Sequence, residues 1–340
     1  MKYSNVVSFI AFAFLTSAAP VVYVTNTVIV DQNGIIVNGQ STPTTPAAVQ
    51  HKAVGTTDVE KSSSSLSRRS GSGSGSFEDG TIPCSQFPSV DHVVPLNWLG
   101  NGGWASVMSA DCQTYSECKD GLYCSYACEP GYAKTQWPST QPSTGQTLGG
   151  LYCKDGYLHK SNSDADSLCV KSKGGALLKS ELSDNVALCM TDTPGSKKSV
   201  IPTNLEAGST ASLYFADDSS FKINGNTIAA EYHINNAGVS VEDGCVWGKA
   251  GSDVGNWAPL ILSAGNVNGI PLITLQKNSL NNWKTAANFN IAIEAPDGCQ
   301  IQGSCTYENG DFVDENHKPI DEDTCSIVIV SGFADIRFYK

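Results

Sequence analysis

The chain has 340 residues, 33 Asp and Glu against 21 Lys and Arg, and a formal net charge of −12 at neutral pH. A polyanion without a basic patch is a poor ligand for nucleic acid or anionic lipid, which leaves neutral polymers, sugars foremost, as partners. The twelve cysteines all follow residue 83, which fits an exported chain cross-linked in an oxidising compartment.

The N-terminus reads MKYSNVVSFIAFAFLTSAAP: Lys2, an apolar run from Val6 to Leu15, then the small residues Ser17, Ala18 and Ala19. That pattern predicts a signal peptide over residues 1–18 and a secreted protein. The run is too short to cross a bilayer, and no later stretch reaches the roughly 20 residues needed. Residues 19–69 turn rich in Ser, Thr and Pro, bury too little to fold, and end at Arg68-Arg69. A dibasic pair in a secretory precursor reads as a processing site, so 19–69 is a propeptide or leader. The plainer alternative is an exposed basic pair in a linker. GSGSGS opens a flexible segment over 70–80.

Residues 81–340 form the cross-linked unit. Its first part, 81–195, is dense in Cys, Gly and aromatics, so disulfides more than a large core supply its order. The even cysteine count allows up to six bridges and predicts essentially no titratable thiol. Cys124-x3-Cys128 lacks a nearby histidine and does not read as a zinc site; no metal and no cofactor is expected. Leu177, Leu178, Leu182 and Val186 recur at helical spacing and predict one short helix. From 196 to 340 the period becomes two, in runs such as ASLYFAD, TIAAEYHIN, APLILSAG, NFNIAIEA and SIVIVSG, separated by Asn-Gly, Asp-Gly and other Gly-rich turns. The fold class is therefore mainly β, a disulfide-rich antiparallel sandwich carrying a Cys-rich lobe of loops and a short helix.

Within the sandwich, TIAAEYHIN and VSVED read as a hairpin closed by Asn235-Asn236-Ala237-Gly238. That register pairs Ile234 with Val239 and Tyr232 with Val241 on one face, and His233 with Ser240 and Glu231 with Glu242 on the other. Opposed glutamates repel, and the pair is either a slip of register or a site. Two carboxyl groups about 5–5.5 Å apart suit a retaining glycosidase, and repulsion raises one pKa as a general acid requires. Glu242 and Glu231 are thus the first catalytic candidates. Asp243 has the opposite parity and sits before Gly244, so it ranks below them as a turn residue. His233 reads as a solvated neighbour. Aromatic faces stack on sugar rings, and Trp247 and Trp257, flanking GKAGSDVGN beside the carboxylates, are the better substrate-binding candidates, with Trp137 next. There is no G-x-S-x-G and no H-E-x-x-H, and paired cysteines are poor nucleophiles.

The spacing Cys118-x5-Cys124-x3-Cys128-x24-Cys153 resembles that of the fungal SUN family of cell-wall proteins, grouped as glycoside hydrolase family 132. FEDGTIPCSQFPS, NWLGNGGWAS, GLYCSYACEPGYAKTQWPSTQPS, YHINNAGVSVEDGCVWG, VGNWAPL and CTYENG add to the resemblance, which runs from about Phe77 to Lys340. It implies a secreted, wall-associated protein acting on β-1,3-glucan in wall remodelling and septation, and it carries over no catalytic residue. A sandwich with an acidic cleft is similar to the thaumatin-like fold by analogy alone. Two other readings stay open: a non-catalytic glucan-binding wall protein, and a structural adhesin attached through its leader.

Overall fold

The computed structural model describes residues 75–143, 146–191, 200–216, 230–267, 269–281 and 285–340, with the backbone of four short strands, Val6–Ser8, Thr27–Ile29, Lys222–Ile223 and Asn226–Thr227. The expected signal peptide, leader and dibasic pair otherwise lie outside the described residues, as does Trp283. The chain divides after Ser70. Before it, Val6–Ser8 pairs antiparallel with Thr27–Ile29.

From Cys84 to Lys171 the chain builds a lobe around a five-stranded antiparallel sheet, in the order Tyr157–His159, Leu151–Lys154, Tyr123–Ser125, Ser106–Met108, Thr114–Tyr115. Its core joins Phe77, Trp104, Val107, Leu122, Tyr126, Leu151, Leu158 and Leu168 to six cysteines. These pair as Cys84–Cys153, Cys118–Cys124 and Cys128–Cys169. The strands are two to four residues long, too short to hold one another by ladder hydrogen bonds alone, so the bridges fix the lobe.

The rest is a sandwich of two sheets. One has seven strands in the order Val200–Leu205, Val186–Thr191, Ala230–Ile234, Leu260–Val267, Ile270–Lys277, Thr324–Ser331, Gln300–Gln302. The other has six, in the order Thr210–Ser212, Ala176–Ser180, Ala334–Tyr339, Asn290–Glu294, Cys305–Glu308, Asp311–Phe312. Alternate residues of both face inward, so Leu188, Tyr232, Leu262 and Leu275 of one sheet share a core with Leu178, Ile336, Phe338 and Tyr307 of the other. One pair, Ala176–Ser180 beside Ala334–Tyr339, is parallel; the remaining strand pairs of the two sheets are antiparallel.

The short helix expected around 177–186 is absent. Ala176–Ser180 and Val186–Thr191 are strands of opposite sheets, and Leu178, Leu182 and Val186 meet in the core as strand, turn and strand. The spacing of four is coincidental, because Ser183-Asp184-Asn185 is turn chemistry that stops a helix. Gly175 opens the first strand with φ at +126°, where a side chain would run into the Phe215 ring. The two sheets thus begin at Ala176, ahead of the sandwich expected from residue 196.

Two further bridges serve the sandwich: Cys305–Cys325 links the sheets and Cys189–Cys245 fastens a connection to the outer face. The full pairing expected of twelve cysteines is not met, since Cys112 and Cys299 stand outside the five bridges. Removing the Cys305–Cys325 bridge as a double Ala variant should lower stability by about 3 kcal/mol. The denaturant midpoint measures it, and an unchanged midpoint would mean that the sheets do not need the link.

Candidate active site

Strand Ala230–Ile234 lies third in the seven-stranded sheet. Ala230, Tyr232 and Ile234 face the core, where the Tyr232 hydroxyl donates to the Tyr214 carbonyl and accepts from the Tyr214 N–H, both at 3.0 Å. Glu231 and His233 therefore face outward. Glu231 stands between Thr191 and Ser263, and His233 between Cys189 and Ile261.

The expected hairpin does not form, and Glu242 is not opposite Glu231. VSVED is not a strand: Ser240 caps the short helix Val241–Gly244, accepting from the Asp243 N–H at 3.1 Å and bonding the Asp243 carboxylate at 3.0 Å. Ser-x-x-Asp is a capping box, a signal present in the sequence that outweighs four residues of alternation. Gly238 N–H bonds the Asn185 carbonyl, and Val239 C=O accepts from the Asn185 side chain, so the helix begins at the far end of strand Val186–Thr191 from Thr191. At about 3.3 Å per residue, Glu242 sits on the order of 15 Å from Glu231, outside the separations of either glycosidase mechanism. Glu242 and Asp243 are both exposed, and Asp243 holds the helix start.

The connection after the helix lies against the outer face of this sheet. Cys245 is bridged to Cys189, its carbonyl accepts from the Trp98 indole N–H at 3.1 Å, and Asn235 does the rest. The Asn235 side-chain Oδ1 accepts from Gly255 N–H, while its Nδ2 donates to the Ala187 carbonyl and the Cys189 sulfur. Asn278 similarly donates to the carbonyls of Asn256 and Ala258. Gly255 has φ at +60° and its Cα packs so close to the Val246 carbonyl that no side chain fits.

Burial consequently falls away along one strand. Asn235 is fully buried, His233 is 6% exposed, and the Glu231 side chain is 35% exposed. Loss of water pushes the Glu231 carboxyl above the usual range and drives the His233 imidazole down to about 4. His233 is thus neutral and enclosed, not the solvated neighbour expected from parity. Its Nε2 lies 3.5 Å from Glu231 Oε1, and its buried Nδ1 has no partner among the described residues. Across the strands, Thr191, Glu231, Ser263, Thr274 and Ser326 form one polar row, with the Thr274 and Ser326 hydroxyls 2.9 Å apart. Sequence reasoning missed this row because its members are scattered over five strands whose register only the fold supplies.

The tryptophans divide. Trp247, on the connection, is 44% exposed; Trp257 is half-buried in the turn Gly255–Trp257, its carbonyl accepting from Asn281. Trp137 lies in the Cys-rich lobe, with Lys134 Nζ 4.3 Å from its ring centre and its indole N–H on the Lys134 carbonyl. Among the described residues, one group has metal-ligand spacing, Cys84, Cys118 and Cys153, and disulfides engage all three sulfurs.

Residues 79–327 match the family model described as "Beta-glucosidase (SUN family)". The Saccharomyces cerevisiae "Beta-glucosidase-like protein NCA3, mitochondrial" is 52% identical over 78% of this chain and 77% of its own length. "Probable secreted beta-glucosidase UTH1" of the same yeast is 51% identical over 78% and 72%. "Secreted beta-glucosidase SUN41" of Candida albicans is 45% identical over 78% and 62%. Among solved structures, the protein elicitor MoHrip2 from Magnaporthe oryzae aligns over 49% of this chain and 99% of its own at 11% identity, with a TM-score of 0.27. That overlay carries no argument about topology, and the thaumatin-like analogy gains nothing from it.

The enclosed His233 ring makes folding stability depend on pH. Between about 6.5 and about 4 the unfolded chain binds a proton at this residue and the folded chain does not. Folding stability should fall as pH drops through that window and level off below it, by about 3 kcal/mol from this residue. His233→Gln should flatten the fall, measured as the pH dependence of the denaturant midpoint. An equal slope in both proteins would mean that His233 is not buried as a neutral ring.

Proposed function

The chain belongs to the SUN family of β-glucosidases, and on that premise we propose that it is an exported glycoside hydrolase acting on β-glucan of the cell wall. The family match carries this reading, because it takes in the Cys-rich lobe and the sandwich as far as Ile327 and includes the whole strand Ala230–Ile234. Hydrolysis of a glycosidic bond needs a carboxyl group that still holds its proton in mildly acidic water. Among the described carboxyl groups, Glu231 is the one whose surroundings supply this: partly exposed, yet desolvated enough to favour the acid form.

The polar row suits the same substrate. Neighbouring strands lie about 4.8 Å apart, close to the length of one sugar residue in an extended glucan, so a chain laid across the strands would pass its hydroxyls over Thr191 and Ser263 on the two sides of Glu231. Trp247, exposed on the connection, offers an aromatic face for a ring. Asp243 keeps a structural part in this reading, holding the helix that leads to Cys245.

Glu231→Gln should lower turnover of laminari-oligosaccharides by roughly 10²- to 10⁴-fold with the fold intact, whereas Glu242→Gln should stay within about twofold of the parent. Product sizes followed over time on the secreted protein measure both. Binding of the oligosaccharides with no change in their length would instead establish the non-catalytic glucan-binding reading.

A further inference from the structure

We propose that His233 is the positioning residue of Glu231: its Nε2–H faces Oε1, orients the carboxyl group for proton transfer and stabilises the negative charge left on it. The proposal rests on the assignment of Glu231 as proton donor.

The geometry decides the tautomer. If Nε2 carried the lone pair, the proton would sit on Nδ1, which is buried and has no partner among the described residues. An orphaned buried donor is more costly than an under-used acceptor, so the proton belongs on Nε2, toward Glu231. The separation of 3.5 Å is long for a hydrogen bond, as contacts of this kind often are before substrate arrives. Backbone pairing holds the two residues on the same face of one strand, bounded by ladders on both sides.

Among the described residues of the elements packed on this face, no charged side chain competes. The flanking strands present Cys189 and Thr191 on one side and Ile261 and Ser263 on the other. The covering connection contributes the bridged Cys245 and Gly255 near the base of the strand. Of its charged groups, Glu242, Asp243 and Lys249 are exposed, and Asp253 is bonded to Asn281 and Thr285.

The Glu231 O–H bond breaks as the proton passes to the glycosidic oxygen and the bond from that oxygen to the anomeric carbon breaks; water then forms the new bond to that carbon, and the proton it sheds returns to the Glu231 carboxylate, restoring the acid. His233 neither gains nor loses a proton. Its N–H strengthens its bond as Glu231 becomes a carboxylate, which stabilises the charged form and holds the carboxyl pKa below where burial alone would leave it.

His233→Asn removes the donor at the ε position, and His233→Gln keeps an amide N–H at similar reach. On the secreted protein, His233→Asn should lower kcat on laminari-oligosaccharides by about tenfold or more, leave KM near the parent value, and move the basic limb of the kcat–pH profile upward by about one unit. His233→Gln should keep both near the parent, with thermal unfolding of each variant checked. An unmoved basic limb in His233→Asn, or equal losses in both variants tracking a loss of folded protein, would overturn the positioning role. If Glu231→Gln itself keeps parental turnover, the fault lies with the donor assignment, and a limb shift in His233→Asn is then not expected.

Discussion

The fastening of residues 245–258 onto the outer face of the seven-stranded sheet is the constraint on which the site depends. A sheet in a sandwich has one face in the core and one toward water, and residues on the second face normally keep ordinary pKa values. Here the Cys189–Cys245 bridge and the amide of Asn235 hold a connection against that second face. The bridge closes a separation of 56 residues, which by chain entropy is worth about 4 kcal/mol. Asn235 uses both ends of its amide on backbone of two different segments, so neither segment can lift without leaving a buried polar group unpaired.

The cover ends partway along strand Ala230–Ile234, and the chemistry follows from where it ends. His233 is inside and Glu231 is at the margin. Burial favours the neutral form of each, but with opposite consequences for pH. The stability that neutral His233 contributes is present above its unfolded value and is lost as pH falls through the folded one. The contribution of protonated Glu231 is present below its unfolded value and lost as pH rises through its raised folded one. The pair is therefore most comfortable in mildly acid conditions, where a proton on Glu231 and none added to His233 is the arrangement a general acid needs.

Much of this was legible in the sequence, and the failures have physical causes. Alternation gave the sandwich because both sheets bury one face, so Tyr232 and Ile234 were placed inward and Glu231 and His233 outward correctly. The cysteine framework gave export and the lobe, though not the exclusion of Cys112 and Cys299, which depends on backbone separations that no spacing encodes. Leu177 to Val186 mimicked a helix because a strand, a five-residue connection and a strand happen to return to the core every four residues. VSVED mimicked a strand because Val239 and Val241 alternate with polar residues, while the cap at Ser240 commits the segment to a turn of helix. The burial of His233 was not readable, since it depends on which distant segments pack on the outer face of the sheet, among them Trp98 and the connection bridged through Cys245.

The most direct test is a carbon-13 NMR titration of the Glu231 side-chain carboxyl in the native protein, assigned by its loss in Glu231→Gln. A midpoint above the ordinary value of 4.5 is expected if the fastened connection desolvates the group. A midpoint at or below 4.5 would contradict the account, because Glu231 would then be an ordinary surface carboxylate with no proton to give.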